Sequence, residues 1–168
     1  EFPDRTVTLG LWEIRVGRIP LYLLDSNLDP NTDFDKQLTA RLYWSDLDRR
    51  VMQELLLGVG GVRALRALGY NPAVWHMNEG HVAFLGLERA REKVSRGDGL
   101  TEAIQQTAVN TVFTTHTPVP AGNETFDRDL VKKYLGPWTQ EVGADAEAAL
   151  SLGAEGGSFN LTVLAIRL

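Results

Sequence analysis

Pro72-Ala73-Val74-Trp75-His76-Met77-Asn78-Glu79-Gly80-His81 is the stretch that decides the fold class. Pro72 to Met77 is a short, largely apolar run, which reads as a strand. Asn78-Glu79-Gly80 then makes a polar, glycine-bearing turn. Beyond it, Val82 to Val94 places Ala83, Leu87, Ala90 and Val94 on one helical face. A short helix is expected over Thr101 to Ala108, with Thr101 and Glu102 suited to its first turn. Val109 to Thr115 reads as a second strand. This alternation, which begins near residue 47, predicts an α/β fold: a parallel sheet with helices around it. The second strand runs into Phe113-Thr114-Thr115-His116-Thr117-Pro118-Val119-Pro120-Ala121-Gly122. Both strands therefore end in polar turns, where open α/β sheets place ligand contacts. The two runs hold every histidine of the chain.

Upstream, a long helix is expected over residues 47–68, where Leu55, Val59, Val62, Leu65 and Leu68 recur at helical spacing. Gly69 is its stop. Gly58, Gly60 and Gly61 lie inside it, each costing about 1 kcal/mol relative to alanine. Close approach of another backbone or of a ligand explains such a cost. A dinucleotide loop does not, because the third glycine is missing and a helical pattern, not a strand, precedes the run. Residues 6–16 alternate with a phase slip near Gly10, which predicts a strand with a bulge. Gly17-Arg18 is a candidate turn, and Ile19 to Leu24 fits a strand buried on both faces. Asp25 to Asp35 reads as a loop. Phe126 to Leu135 and Trp138 to Leu150 read as helices, Gly153 to Ser158 as a flexible loop, and Phe159 to Leu168 as an apolar segment.

With 168 residues, the chain is long enough for one α/β domain with a core, here residues 1–168. Its net charge is −5 and its basic residues are scattered, which excludes a nucleic-acid footprint. No run approaches the roughly 18 apolar residues of a membrane span. No signal-peptide pattern is visible at Glu1-Phe2-Pro3-Asp4, and there is no cysteine, so a cytoplasmic setting is expected.

As metal ligands the histidines are wrongly spaced. His76 and His81 lie five residues apart, about 140° apart on a helix and on opposite faces of a strand. The zinc-protease helix needs histidines at i and i+4, with glutamate directly after the first. No metal site is therefore expected. No serine sits in a Gly-x-Ser-x-Gly elbow, and no carboxylate pair is singled out by spacing. His81 follows Glu79-Gly80 at a strand-to-helix junction, where it can either serve the helix end or bind a hydroxyl. His116 reads as stabilising its own turn, and His76 as structural. Asn78 and Glu79 are expected to shape the turn.

Taken together, these runs resemble the α-glucan phosphorylases of the shorter bacterial and archaeal type. The matching pieces begin with Val16-Gly17-Arg18-Ile19-Pro20-Leu21-Tyr22-Leu23-Leu24-Asp25 and Leu38-Thr39-Ala40-Arg41-Leu42-Tyr43. Gln53-Glu54-Leu55-Leu56-Leu57-Gly58-Val59-Gly60-Gly61-Val62-Arg63-Ala64-Leu65 follows, then both histidine runs and Phe159-Asn160-Leu161-Thr162-Val163-Leu164-Ala165. The resemblance implies a Rossmann-like sheet within the N-terminal domain of a glycosyltransferase B-type fold, with residues 159–168 leading toward a C-terminal domain. It implies phosphorolysis of α-1,4-glucan to α-glucose 1-phosphate, with pyridoxal phosphate as cofactor. The partners implied are a glucan or maltooligosaccharide, and phosphate. His81 matches the family histidine that contacts the glucosyl unit and would be the catalytic residue. Asn78, Glu79 and Gly80 would present it, and His116 and Thr117 would support the cleft.

The departures are specific. The cofactor lysine, the phosphate-binding basic residues and the family's glycine-rich loop are not matched in this chain. Tyr43-Trp44-Ser45-Asp46 stands where relatives carry Tyr-Gly-Gly-Asp, Asn123 where many have histidine, and Val82 where a smaller residue is usual. The chain is expected to be a segment of such an enzyme, inactive alone. A second reading is a non-catalytic α/β binding module that self-associates as a homo-oligomer through apolar edges such as Phe159 to Leu168. A sugar-nucleotide glycosyltransferase is a third, and would require a nucleotide site that the chain does not contain.

Overall fold

Two parallel strands, β3 (Trp75–Asn78) and β4 (Thr111–Thr114), carry the two histidine runs side by side. The structure, a computed structural model, describes residues 1–117 and 123–168. The end of the second run, 118–122, lies outside the described residues. In β3, Trp75 and Met77 are buried while His76 and Asn78 are exposed. Period-2 alternation thus puts His76 on the open face, where it bonds the Thr114 hydroxyl at 2.8 Å. It is not inside the apolar layer. The crossover between β3 and β4 consists of α4 (Phe84–Val94) and α5 (Leu100–Ala108).

The fold is α/β, but its sheets are short. Among the described residues the parallel part is this single pair. A hairpin joins β1 (Gly10–Val16) to β2 (Ile19–Asp25) through the expected turn at Gly17-Arg18. Pairing is unbroken from Gly10 to Val16. The phase slip near Gly10 therefore marks where the strand begins, not a bulge within it. The expectation that Ile19 to Leu24 is buried on both faces fails: Ile19, Leu21 and Leu23 are exposed. No second layer covers that side of the ribbon among the described residues.

The long helix forms as α2 (Leu47–Leu55) and α3 (Gly61–Ala67), joined by a π-helical turn at Leu56–Gly60. Two of its three glycines answer to close packing. A Cβ on Gly58 would lie 2.8 Å from the Leu85 nitrogen, and one on Gly60 would lie 3.0 Å from Leu9 Cδ1. Gly61 meets nothing within 4 Å. The π-turn places Gly58 where α4 begins, so a helix irregularity and a helix crossing coincide. Gly69, at φ +82°, closes the helix as expected. A short helix, α1 (Asp33–Lys36), precedes it and is capped by Thr32.

After β4, the short strand β5 (Thr125–Phe126) leads into α6 (Arg128–Val142) and α7 (Ala146–Leu152). The break expected between Leu135 and Trp138 does not occur; α6 runs through Pro137. Its buried face, Val131, Tyr134, Leu135, Trp138 and Val142, holds it in place, and the Trp138 indole donates to the Leu87 carbonyl at 2.9 Å. Tertiary packing outweighs the missing proline N–H.

The segment expected to be a flexible loop is a tight hairpin of β6 (Ala154–Glu155) and β7 (Ser158–Asn160). Gly156 and Gly157 both have positive φ, as such turns need. Strand β7 also pairs with β5 and passes into α8 (Leu161–Arg167). Phe159, Leu161, Leu164 and Leu168 are buried, and Phe159 stacks on Phe84 with ring centroids 6.2 Å apart. The apolar 159–168 segment is therefore core, not an exposed edge.

Candidate functional site

Gly80 and His81 form a 3-10 turn (Gly80–Val82) between β3 and α4. A Cβ on Gly80 would lie 3.1 Å from Leu161 Cβ and 3.2 Å from the Thr162 nitrogen. Glycine thus lets the turn press against the start of α8. Glu79, at φ 63°, is the one non-glycine residue with positive φ among the described residues. Its carboxylate holds the neighbouring loop: it accepts the His116 backbone N–H at 2.6 Å and the Thr115 and Thr117 hydroxyls at 3.1 and 3.2 Å. These bonds, the His116 N–H foremost, hold its carboxyl below the usual carboxylate range. His116 Nε2 in turn meets Asn78 Oδ1 at 2.9 Å. Asn78, Glu79, His116 and Thr117 thus come together at the carboxyl ends of β3 and β4.

His81 turns to different partners. Its Nδ1 lies 3.2 Å from Glu124 Oε2 and 3.4 Å from Glu54 Oε1. Arg50, one helical turn before Glu54 on α2, donates to Glu54 Oε1 at 2.6 Å and pairs with Glu124 Oε1 as well. It also donates to the Leu42 carbonyl at 3.1 Å. Arg50 and Glu54 are buried; His81 and Glu124 are partly open. Tyr43 flanks the group, its ring centroid 6.1 Å from the imidazole and 5.1 Å from the Arg50 guanidinium carbon. The pairing of β5 with β7 sets Glu124 here, with Glu124 O accepting the Leu161 N–H at 3.0 Å.

The electrostatics follow from that crowding. Hydrogen bonds to Glu124 and Glu54 raise His81 to about 10, against the opposing effect of burial. Burial pushes Glu54 up to about 7, and the His81 hydrogen bond opposes that rise. Burial acts upward on Glu124 too, but hydrogen bonds from His81, Glu54 and Arg50 outweigh it and bring the carboxyl to about 2. At neutral pH the imidazole is therefore cationic, with Nδ1–H committed to carboxylate. Nε2 makes no hydrogen bond among the described residues and remains a donor for a ligand.

Glu54, His81 and Glu124 each offer a ligand atom, all within 4.8 Å of one another. This set does not include His76, and the five-residue spacing of His76 and His81 gives no sign of it. A cation here would have to displace the Arg50 guanidinium from both carboxylates, which makes the donor set a poor metal cage as it stands.

Sequence reading also missed Arg50, Glu54, Tyr43 and Glu124 as site residues. The Arg50–Glu54 pair did leave a local signal, two opposite charges at i and i+4 beside the apolar stripe of α2. Glu124, 43 residues from His81, left none. In the departing Tyr43-Trp44-Ser45-Asp46 turn, Trp44 packs its ring 4.2 Å from the Arg49 guanidinium carbon, and Asp46 caps α2. An aromatic–arginine stack stands there instead of paired glycines.

No family model matches the chain. Over 164 residues, 98% of this chain, it is 43% identical to the maltodextrin phosphorylase of Thermococcus litoralis. It is 41% identical over 172 residues to the glycogen phosphorylase of Mycobacterium tuberculosis, covering 94% of this chain. It is 32% identical over 169 residues to the glycogen phosphorylase of Aquifex aeolicus, covering 98% of this chain. The chain spans about 20% of the length of the first two relatives and 24% of the third. The resemblance expected from the motifs is borne out: nearly the whole chain is similar to one segment of glycogen and maltodextrin phosphorylases.

Proposed function

We propose that this chain, similar throughout to a segment of the α-glucan phosphorylases, supplies the histidine-bearing wall of such an enzyme's active site. The reaction is transfer of a glucosyl unit from α-1,4-glucan to phosphate, giving α-glucose 1-phosphate. The parent architecture is a Rossmann-like N-terminal domain of a glycosyltransferase B-type fold, in a cytoplasmic enzyme. Residues 1–168 form part of that domain, and 159–168 lead toward its C-terminal partner. The carrying observation is His81: its Nδ1 is fixed by two carboxylates, so Nε2–H is left oriented to donate to a sugar hydroxyl. Orientation by buried charge is what preorganised transition-state stabilisation requires. The His81 main-chain carbonyl is assigned to the developing positive charge at the anomeric carbon. Asn78, Glu79 and Gly80 hold the turn, and His116 and Thr117 complete the rim.

Pyridoxal phosphate supplies the proton exchange with substrate phosphate in this family, but this chain's own lysines do not fit it. Lys36 pairs with Asp29, Lys93 with Gln106, Lys132 with Glu147 and Lys133 with Asp48. None joins the His81 group. No step is routed through the cofactor, and the isolated chain is proposed to be inactive.

A maltooligosaccharide titration tests the assignment by calorimetry. Saturable binding that disappears in His81→Ala, with the circular dichroism spectrum retained, is the expected outcome. Binding that survives His81→Ala removes the assigned role. Glucose 1-phosphate formed by this chain alone, with maltodextrin, phosphate and pyridoxal phosphate, overturns the proposed inactivity.

A further inference from the structure

Backbone pairing of β3 with β4 ends just past Asn78 and Thr114. The Glu79 N–H donates to the Thr114 carbonyl at 2.8 Å, and the Gly80–Val82 turn then leaves the strand direction. Among the described residues, 115–117 make no backbone–backbone hydrogen bond. The Glu79 side chain continues the ladder in place of the backbone. Its Oε1 accepts the His116 N–H at 2.6 Å and the Thr117 hydroxyl at 3.2 Å, and its Oε2 accepts the Thr115 hydroxyl at 3.1 Å. One carboxylate thus meets donors from three consecutive residues, 36 to 38 positions away in sequence. Hydrogen bonds to an ionised acceptor are about twice as strong as neutral ones. The backbone of Glu79 is an independent observation. At φ 63° and ψ 176° it occupies a region essentially confined to glycine. Glycine would remove that strain, yet glutamate stands here. The turn itself has no use for the carboxylate: the Ala83 N–H closes it on the Gly80 carbonyl at 2.9 Å, and Glu79 makes no side-chain cap bond.

We infer that Glu79 is a positioning residue for the second histidine loop, a strained clasp whose backbone makes the β3 turn while its carboxylate sets His116 against the end of β3. The His116 ring agrees with this. With its N–H held by Glu79, the side chain reaches back across the pair, and Nε2 meets Asn78 Oδ1 at 2.9 Å. Backbone and ring of His116 are thus fixed by two adjacent residues of one strand end. His76 and Thr114 make a similar link at 2.8 Å further down the same pair. Polar side chains therefore join β3 to β4 up to the rim, where the ladder has run out. The first histidine is held by other means, since His81 turns to Glu54 and Glu124. The clasp places His116 without drawing on those charges. Two segments whose backbones do not pair are kept in one fixed relation, which a preorganised site requires of its supporting residues. Glu79 acts through His116. That the rim so ordered receives sugar rests on the phosphorolysis reading; the clasp itself does not.

Three substitutions in the full 168-residue chain separate clasp from turn. Glu79→Ala removes the carboxylate and keeps the strain, Glu79→Gly removes both, and Glu79→Gln keeps an oxygen for the His116 N–H. NMR reads amide hydrogen exchange at His116 and its imidazole resonances. Exchange there should speed up roughly tenfold in Glu79→Ala and Glu79→Gly, with the imidazole resonances displaced, and Glu79→Gln should restore most of the protection. Melting temperature should follow a different order, Glu79→Gly above Glu79→Ala, because only glycine takes this backbone conformation without strain. A well-folded Glu79→Gly with a loosened His116 separates positioning from stability. Unchanged His116 exchange and resonances in that variant overturn the inference. So do His81 resonances that move as far as those of His116, since the loosening is then general. A maltooligosaccharide titration relates the clasp to the proposed site: Glu79→Gly should weaken binding roughly tenfold. Undiminished binding overturns the positioning role. If the unsubstituted chain binds no sugar, the sugar-binding reading of the site fails, and the exchange measurement still decides the clasp.

Discussion

Two acid–base clusters, one fully buried and one partly open, sit on the same helical framework and are built differently. In one, Glu88 of α4 is fully buried and accepts from two arginines, Arg63 at 2.8 Å and Arg91 at 2.7 Å, with Glu141 at the margin. In the other, one arginine, Arg50, serves two carboxylates, Glu54 and Glu124, and the remaining positive charge must come from His81. The first balances its charge with groups that do not titrate near neutrality. The second balances through the proton on a histidine and through Glu54, a carboxyl pushed up to about 7. The first closes over itself and ties α3, α4 and α6 together. The second leaves an imidazole nitrogen available beside the β3 turn. A strut and a candidate site are thus built from nearly the same residue types, and the number of arginines separates them.

The largest expected effect breaks the strut. Glu88→Ala leaves two guanidiniums without their buried acceptor and should cost about 3 kcal/mol in urea unfolding, toward the low end for broken buried pairs because both arginines reach solvent. The His81 imidazole resonances should stay where they are. If they move as much as the stability does, the clusters are not separate.

Arg50→Met comes next, at about 2 kcal/mol. The loss is smaller than at Glu88 because Glu54, already pushed up to about 7, can take a proton in place of the arginine. The loss should therefore grow between pH 5 and pH 8. A pH-independent cost would remove that explanation.

The third prediction concerns His81 alone. Its folded-state value, about 10, lies above the ordinary histidine value of 6.5. Its contribution to stability is then complete below about pH 6.5 and is lost as pH rises toward 10. His81→Asn should flatten that alkaline decline in thermal melts between pH 6.5 and 10. An identical decline in the variant would show that another group titrates there.

The smallest effect sharpens the contrast. Glu124→Gln should change stability by no more than about 1 kcal/mol, since the residue is partly open. It should nevertheless lower the His81 titration midpoint measured by NMR, because the charge that favours the imidazolium is gone. An unmoved midpoint would assign the raised value to Glu54 alone.

Much of this architecture was readable before the fold was known, and the reasons are local. Strong apolar periodicity marked α4 and the long helix, first-turn residues Thr101 and Glu102 marked α5, and Gly69 marked the long helix's stop. The β3–β4 strands were found because an apolar run ending in a polar turn is a nearest-neighbour pattern. The errors share one cause. Ile19 to Leu24 looks like a buried strand because composition does not say whether a second layer exists. Pro137 looks like a helix end because its missing N–H is local, while the packing that overrides it includes Trp138 against Leu87, 51 residues apart. Gly153 to Ser158 looks like a loop because a two-residue hairpin leaves only its glycines as a signal.

The same division holds at the site. By itself the sequence determined that His81 stands at a strand-to-helix turn, that Glu79 and Gly80 shape it, and that the chain resembles phosphorylases. The first two depend on residues within a few positions of one another, and the resemblance on the order of short local runs along the chain. Only the tertiary structure decided that His81 faces two carboxylates and that Phe159 to Leu168 is core. It likewise decided that the ribbon, not that segment, carries the open apolar face. Each of these depends on pairing across tens of residues, and chain closure leaves no periodic trace in the sequence from which such pairing can be read.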